Sequence, residues 1–548
     1  MGFKFTISNV FILFLIACSY QVAAQQPQQQ QVIGAPTSTD SIRSIHIMQG
    51  KSMRLITIDS LTALETIAGD VIIKEGLTTF YCDSATINRR TNIVEAYGNI
   101  HINDNDSIHT YSQYLRYVGG ERIAYLKKNV RLTDKKGTLY TDELEYNLRT
   151  GIATYTNGGR IVNGTTVLTS RDGVYYAETK DIYFRHNVHL KDPDRDIFTD
   201  SLLYNLKTNI ATFIAKTKII GKDGSVINTN SGTYNMGTGE AIFTDGASFS
   251  DSTRRGSAKT IAYDKKSGTI QMEGNAKLVD SVNNVTVLGG QIFIDTKANS
   301  FLASRKPVMI IYRDGDSTYV AADTLFSGLR KYDSLERKMI TQRDTLKTTL
   351  AINAKNSSDT SIRYFLGFHH VRIYNDSLQA VSDSLHYSTA DSTFKLFGEP
   401  IVWNGKSQVT GDTLYLFTQK QKPKRLYVFN NALIINKSAE GLYNQIAGRT
   451  LNGYFTDGNI DYVRVKGSPA ESIYYPQDDD SAYIGMNRSS GDVIDVYFVK
   501  KELNKVKFVN DVNGTLYPLK KIPAEQKQLK GFKWLDNRRP KTWLELFE

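Results

Sequence analysis

The feature that most constrains this chain is a repeat close to 29 residues long. A short alternating segment recurs, as in Thr141-Asp-Glu-Leu-Glu-Tyr146 and Thr199-Asp-Ser-Leu-Leu-Tyr204, and closes on an aromatic or aliphatic marker. The markers run Ile87, Tyr117, Tyr146, Tyr175, Tyr204, Tyr234, Tyr263 and Ile294, at intervals of 30, 29, 29, 29, 30, 29 and 31. A fixed period of this size belongs to architectures whose units cannot bury an apolar face alone, so that they stack and share one core. Phe326, Tyr387 and Leu416 continue the series at intervals of 32, 61 and 29. The interval of 61 is one repeat plus a polar, charged stretch at 329–360. We read that stretch as an insertion in a hairpin turn, where extra length costs little closure entropy.

Inside a repeat the marker is followed by turn chemistry, such as Asn147-Leu-Arg-Thr-Gly151 or Asp264-Lys-Lys-Ser-Gly268. Asn, Asp and Gly there tolerate positive φ or bond their own backbone. Then comes Gly98-Asn-Ile-His-Ile102, Lys128-Asn-Val-Arg-Leu132, His186-Asn-Val-His-Leu190 or Gly274-Asn-Ala-Lys-Leu278. Apolar residues at i and i+2 give strand periodicity with one buried face. Each repeat therefore reads as about three short strands joined by tight turns. The 32 Tyr, 24 Phe and 40 Gly against 11 Pro agree with an all-β chain. Repeats are expected over 45–328 and, degenerating toward the end, over 361–515. A basic, aromatic tail at 516–548 is either a cap or a docking segment.

The N-terminus reads as a secretion signal over residues 1–24. Lys4 precedes an apolar run at 10–17, too short to span a bilayer, and Val22-Ala23-Ala24 offers a small-residue cleavage site. Leu15-Ile16-Ala17-Cys18 resembles a lipobox and is the minority reading, with Cys18 lipidated. Residues 25–44, opening on a Gln-rich run, have too little apolar content to pack and read as a flexible tether. Either route delivers the chain to the periplasm.

The repeated Gly98-Asn99-Ile100, His186-Asn187-Val188 and Gly274-Asn275-Ala276 steps, each set against an Asp-x-Leu-x-Tyr type segment, resemble the OstA-like family of lipopolysaccharide transport proteins. The family takes in a periplasmic bridge protein and the periplasmic N-terminal domain of an outer-membrane translocon. The resemblance covers roughly 45–435, more weakly to 515, and not the tail. It implies an elongated antiparallel β-jelly-roll with an open, V-shaped interior that receives acyl chains, and strand edges that join modules head to tail. The length, the insertion and the tail depart from the family.

Chemistry by catalysis finds no support in the residues. None of the eight His forms an HExxH pair, and His186/His189 and His369/His370 differ in strand parity, which argues against a shared metal. Asp142, Asp200, Asp323, Asp383 and Asp412 recur at one place in the repeat and read as strand-entry turns. Two cysteines, Cys18 and Cys82, exclude a disulfide scaffold. We therefore expect no enzyme activity and no cofactor. Ile100, Ile102, Val130, Leu132, Val188, Leu190, Leu278, Val308 and Ile310 occupy equivalent strand positions and would stack into an apolar stripe. By itself the stripe fits a closed core in a structural or adhesive β-solenoid equally well; the family resemblance favours a groove for lipopolysaccharide or a related glycolipid. Lys plus Arg exceed Asp plus Glu by 67 − 56 = 11, with a cluster at Lys520, Lys521, Lys527, Lys530, Lys533, Arg538, Arg539 and Lys541. An anionic headgroup or membrane surface fits that balance, as do other transport components stacked on the sheet edges. Nucleic acid does not fit a secreted chain without a recognition module.

Overall fold

In the first repeats long strands alternate with short turns and pair with the strand before and the strand after; further on many strands are cut into pieces of four to six residues that pair along the same path. A computed structural model describes residues 45–59, 62–313, 316–331, 361–419, 422–456, 459–499 and 502–547. The expected signal segment, the Gln-rich tether, Cys18 and residues 332–360 lie outside these. Forty strands form one continuous antiparallel sheet, and the only helical elements among the described residues are short 3-10 turns in the tail. No helix there is long and apolar enough to cross a membrane.

The expected three short strands per repeat are met loosely: some repeats are four short strands, as at Ile152–Tyr155, Gly159–Asn163, Thr166–Ser170 and Asp172–Tyr176, and others are simpler. Ile93–Asp104 and Ile108–Val118 make one repeat, Ile123–Thr133 and Thr138–Asn147 the next: two long strands apiece. The Gly-Asn step lies in the middle of the first strand of each pair and bends it. Gly98 and Asn99 both have positive φ (74° and 42°), and the pairing steps from Tyr97↔Tyr114 to Ile100↔Ser112, so two residues face one. This is a β-bulge, and Gly and Asn suit it because they enter the left-handed region at least cost. Lys128/Asn129, His186/Asn187 and Gly274/Asn275 repeat it. The strand thus turns a corner, and each strand contributes to both walls of the stack.

All the recurring aspartates sit opposite these bulges: Asp142, Asp200 and Asp383 lie in mid-strand, whereas Asp323 and Asp412 stand directly before Thr324–Lys331 and Thr413–Gln419, at a strand entry as expected. Asp83 accepts from Asn99 Nδ2 (3.0 Å) and Asp412 from Asn431 Nδ2 (2.9 Å). Asp383 pairs with His369 (3.1 Å) and Asp323 with His370 (2.9 Å). Their carboxylates brace a strained backbone.

The bulge also fixes parity: the first and third residues after it point inward. Ile100, Ile102, Val130, Leu132, Val188, Leu190 and Leu278 are all buried in the main core. Val308 and Ile310 are not part of it. In their repeat the bulge pair is Arg305/Lys306 (φ 61° and 58°), so the inward positions are Pro307, Met309 and Ile311. Val308 and Ile310 face the other way, packing with Ala321 and Leu546 of the tail.

Thr324–Lys331 pairs with Ser361–Tyr374 up to Lys331↔Ser361, so residues 329–331, expected in the insertion, belong to the strand. The tail is neither an end cap nor free. It runs back along the outer wall as a strap. Gln445 donates to Lys527 O (2.9 Å) and accepts from Leu529 N (2.8 Å); Gln408 does the same with Lys533 O and Leu535 N (2.8 Å each). Arg539 Nε donates to Gln379 Oε1 (2.8 Å), and Arg372 donates to Glu545 O (2.7 Å). Leu529, Leu535 and Leu546 fill three apolar patches on that wall, and Trp543 stacks on Tyr319.

Candidate functional site

Because the strands bend, the turns at their two ends form two lips that face each other across the interior. The markers stand just inside one lip. A buried tyrosine hydroxyl needs a partner, and from Tyr117 to Tyr204 it finds one on the opposite lip, 41 or 42 residues earlier in the chain. Tyr117 donates to Glu75, Tyr146 to Asp104 (2.9 Å) and Tyr175 to Asp134 (2.7 Å), while Tyr204 meets Asn163 (3.4 Å). Lys180 Nζ adds an ion pair to Asp134 at 3.1 Å, and Arg195 lies over the ring of Tyr234 at 4.4 Å. These five markers are all buried. Burial alone would raise the Asp134 carboxyl, but hydrogen bonds from Tyr175, Gly137 N, Lys180 and Lys136 N outweigh it and hold the group below the usual carboxylate range. Over this stretch the interior is sealed.

Beyond it the seal changes. The markers become Tyr263, Ile294, Phe326, Tyr387 and Leu416; of these only Ile294 is fully buried. Three of the five have no hydroxyl to offer. Here a cavity of about 190 Å³ opens between the walls. Its floor is Leu278, Val287, Ile294, Met309, Val320, Phe365 and Leu385, and its sides are the half-buried Val285, Phe301, Ile311, Tyr387 and Phe394. The mouth is polar, with Arg254, Asp280, Asn283, Asn299, Ser327, Arg363 and Thr389. Such a combination of apolar interior and few polar rim groups is the general form of a small-ligand site.

Of the nine residues expected to hold lipid, Leu278 alone lines this cavity. Ile100, Ile102, Val130, Leu132, Val188 and Leu190 are packed in the sealed stretch, and Val308 and Ile310 lie under the strap. Sequence reasoning missed Phe301, Met309, Phe365 and Phe394; the available signal was the change of marker from Tyr to Ile, Phe and Leu.

Other groups with chemical potential have structural partners. Among the described residues no three His, Cys, Asp or Glu side chains come together as a metal site requires. Cys82 is buried, and burial, with the charge of Asp83, pushes its thiol up to about 12, which leaves it unreactive. His186 is held by Asp172 at 2.5 Å and His189 by Asp196 at 2.8 Å.

Residues 45–200 match the family described as OstA-like protein, and residues 167–300 match the family described as LptA/(LptD N-terminal domain) LPS transport protein. The chain thus resembles the one family over 45–200 and the other over 167–300. No curated protein matches. Among solved structures, LptH of Pseudomonas aeruginosa, the LptA-homologous periplasmic component of a lipopolysaccharide transport device, is 18% identical over 20% of this chain and 80% of that one. The TM-score is 0.18, too low to bear on function. The two family matches overlap at 167–200 and end at 300, part-way through the cavity lining. The matched residues 45–300 therefore supply the sealed stretch and one wall of the cavity, and the strands from Val308 to Phe397 supply the other.

Proposed function

We propose that this OstA-like protein binds lipopolysaccharide or a related glycolipid in the periplasm and passes it toward the outer membrane, holding acyl chain between the walls without making or breaking a bond. The observation that carries this reading is the apolar cavity lined by Phe301, Met309, Phe365 and Phe394, set where the lips separate. Each CH₂ buried there contributes about 0.8 kcal/mol, enough over a chain to retain lipid with no catalytic group. Partner contact follows from the edges. Among the described residues His46–Gln49 and Ser52–Asp59 pair only with Thr62–Glu75, and Met53, Leu55, Ile56 and Ile58 are exposed. An uncovered edge with apolar side chains suits addition of a strand from a second transport component. The exposed Lys520, Lys521, Lys527 and Lys530 of the strap suit an anionic membrane surface.

Photo-crosslinking residues at Val287, Phe301 and Phe394, compared with Val188 and Leu202 in the sealed stretch, test the reading. Lipopolysaccharide captured at the first three and not at the last two supports it. Capture at none of them returns the lead to a structural stack with a closed core, a reading that the sealed interior from Ile67 to Tyr234 favours on its own.

A further inference from the structure

Two guanidiniums stand at the mouth of the cavity without a carboxylate to match them. Arg254 Nη2 donates to Asn299 Oδ1 (2.7 Å) and Arg363 Nη1 to Ser327 Oγ (3.3 Å), both neutral acceptors. Among the described residues neither has an ion-pair partner within 4 Å. The carboxylate of the rim, Asp280, is already engaged by its own turn: it accepts from Val282 N and Asn283 N (3.0 Å each) and from Asn283 Nδ2 (2.8 Å). Both arginines are half-buried, and both border the same cavity. Burial holds Arg363 below its ordinary value; the charge of Asp280 opposes this and that of Arg254 adds to it. Elsewhere the chain treats lip cations differently, since Lys180 sits on Asp134 at 3.1 Å and Arg122 approaches Glu75 at 3.8 Å. Leaving desolvated charges on neutral partners is costly, and an anion arriving from outside relieves it through charge-assisted, fork-shaped hydrogen bonds.

We propose that Arg254 and Arg363 form a seat for the phosphate of an amphiphile whose alkyl chain occupies the cavity. This rests on the acyl-binding reading above and adds to it the headgroup class and the end from which the ligand enters. The seat selects a lipid phosphate over a neutral sugar headgroup of equal chain length.

The test uses the full chain and three probes below their micellar concentrations: dodecyl phosphate, dodecyl maltoside and inorganic phosphate, followed by titration calorimetry. Dodecyl phosphate is expected to bind about tenfold more tightly than dodecyl maltoside, one charged hydrogen-bonded group being worth roughly that factor. Arg254→Gln and Arg363→Gln should each remove most of this advantage and leave the maltoside unchanged. Val287→Trp, which fills the floor, should weaken both amphiphiles; circular dichroism identifies a variant that has not folded, and Met309→Trp then takes its place. If the maltoside binds as well as the phosphate, or the arginine changes weaken both equally, the seat is refuted while the cavity reading stands. If inorganic phosphate displaces dodecyl phosphate at equal concentration, the site is one for free anions and the amphiphile proposal fails. If neither amphiphile binds the unaltered chain, both readings fall together.

Discussion

Between residues 62 and 235 buried tyrosines reach across to Glu75, Asp104, Asp134 and Asn163 on the opposite lip; among the residues from 254 to 394 a cavity lies between the walls, with Arg254 on Asn299 at its mouth. The strands, bulges and turns are alike in the two stretches, so the difference is not one of fold. It lies in the side chains that meet at the mouth. Where the marker is a buried tyrosine, its hydroxyl draws a polar partner from the opposite lip and the seam closes. Where it is Ile294, Phe326 or Leu416, the marker has no hydroxyl to donate, and at Ile294 the lips are joined instead by Arg254 Nη2 on Asn299 Oδ1. The same backbone thus yields a closed mast and a chamber with a cavity, and the marker position is one place in each repeat where the two differ.

The comparison breaks most readily in the core. Phe184→Ala, at a fully buried site of the sealed stretch, should lower stability by about 3–5 kcal/mol. Phe394→Ala, at a half-buried cavity wall, should lose less than half as much by chemical denaturation. Equal losses would mean that the chamber is packed as tightly as the mast. Next comes the strap. Gln408→Ala strands Lys533 O, Leu535 N and the Trp403 Nε1 that also bonds it at 3.2 Å. A cost of about 2–3 kcal/mol is expected, seen as faster amide exchange at 401–410 with no change at 138–205.

Asp134→Asn sharpens the contrast from the sealed side, since it leaves Tyr175 and Lys180 without their anion, at about 1–3 kcal/mol. The group's folded pKa lies below its unfolded value. Its contribution is therefore complete above about pH 4 and is lost as pH falls through the folded value. Acid melting curves of the parent should decline in that window, and those of the variant should be flatter. A pH-independent difference would remove Asp134 from the seam. The smallest effect is Tyr146→Phe, about 1 kcal/mol for one hydrogen bond, read as a drop in melting temperature. The converse, Ile294→Tyr, should leave the melt nearly unmoved but exclude dodecyl phosphate by placing a ring in the chamber.

Much of this was legible in the chain. The period gives the stack, the Asn and Gly steps give the bends, and parity after each bend gives the inward face. The errors are instructive because each has a physical cause. Arg305/Lys306 adopts the same left-handed pair as Gly98/Asn99 but carries no residue that announces it, so Val308 and Ile310 were placed one step out of phase and Met309 was overlooked. The strap left no local sign: Gln379, Gln408 and Gln445 look like ordinary polar residues until partners 82 to 160 positions away are known. The cavity had a sign, the loss of tyrosine from the marker series, but its meaning depends on a hydrogen bond that spans one and a half repeats.

The strap also sets an order of assembly. In the sealed stretch each row meets only its neighbours, with reach of about one and a half repeats, so it can form row by row as the chain emerges N-terminus first. The outer wall at Val308, Trp403 and Met486 is completed by Leu546, Leu535 and Leu529, and Arg372 waits 173 positions for Glu545. Long-range closure of this kind is slow relative to local pairing. Residues 529–546 are thus the late-arriving part of the wall: until they pack, the apolar strips at Val308, Trp403 and Met486 lack their cover from the strap.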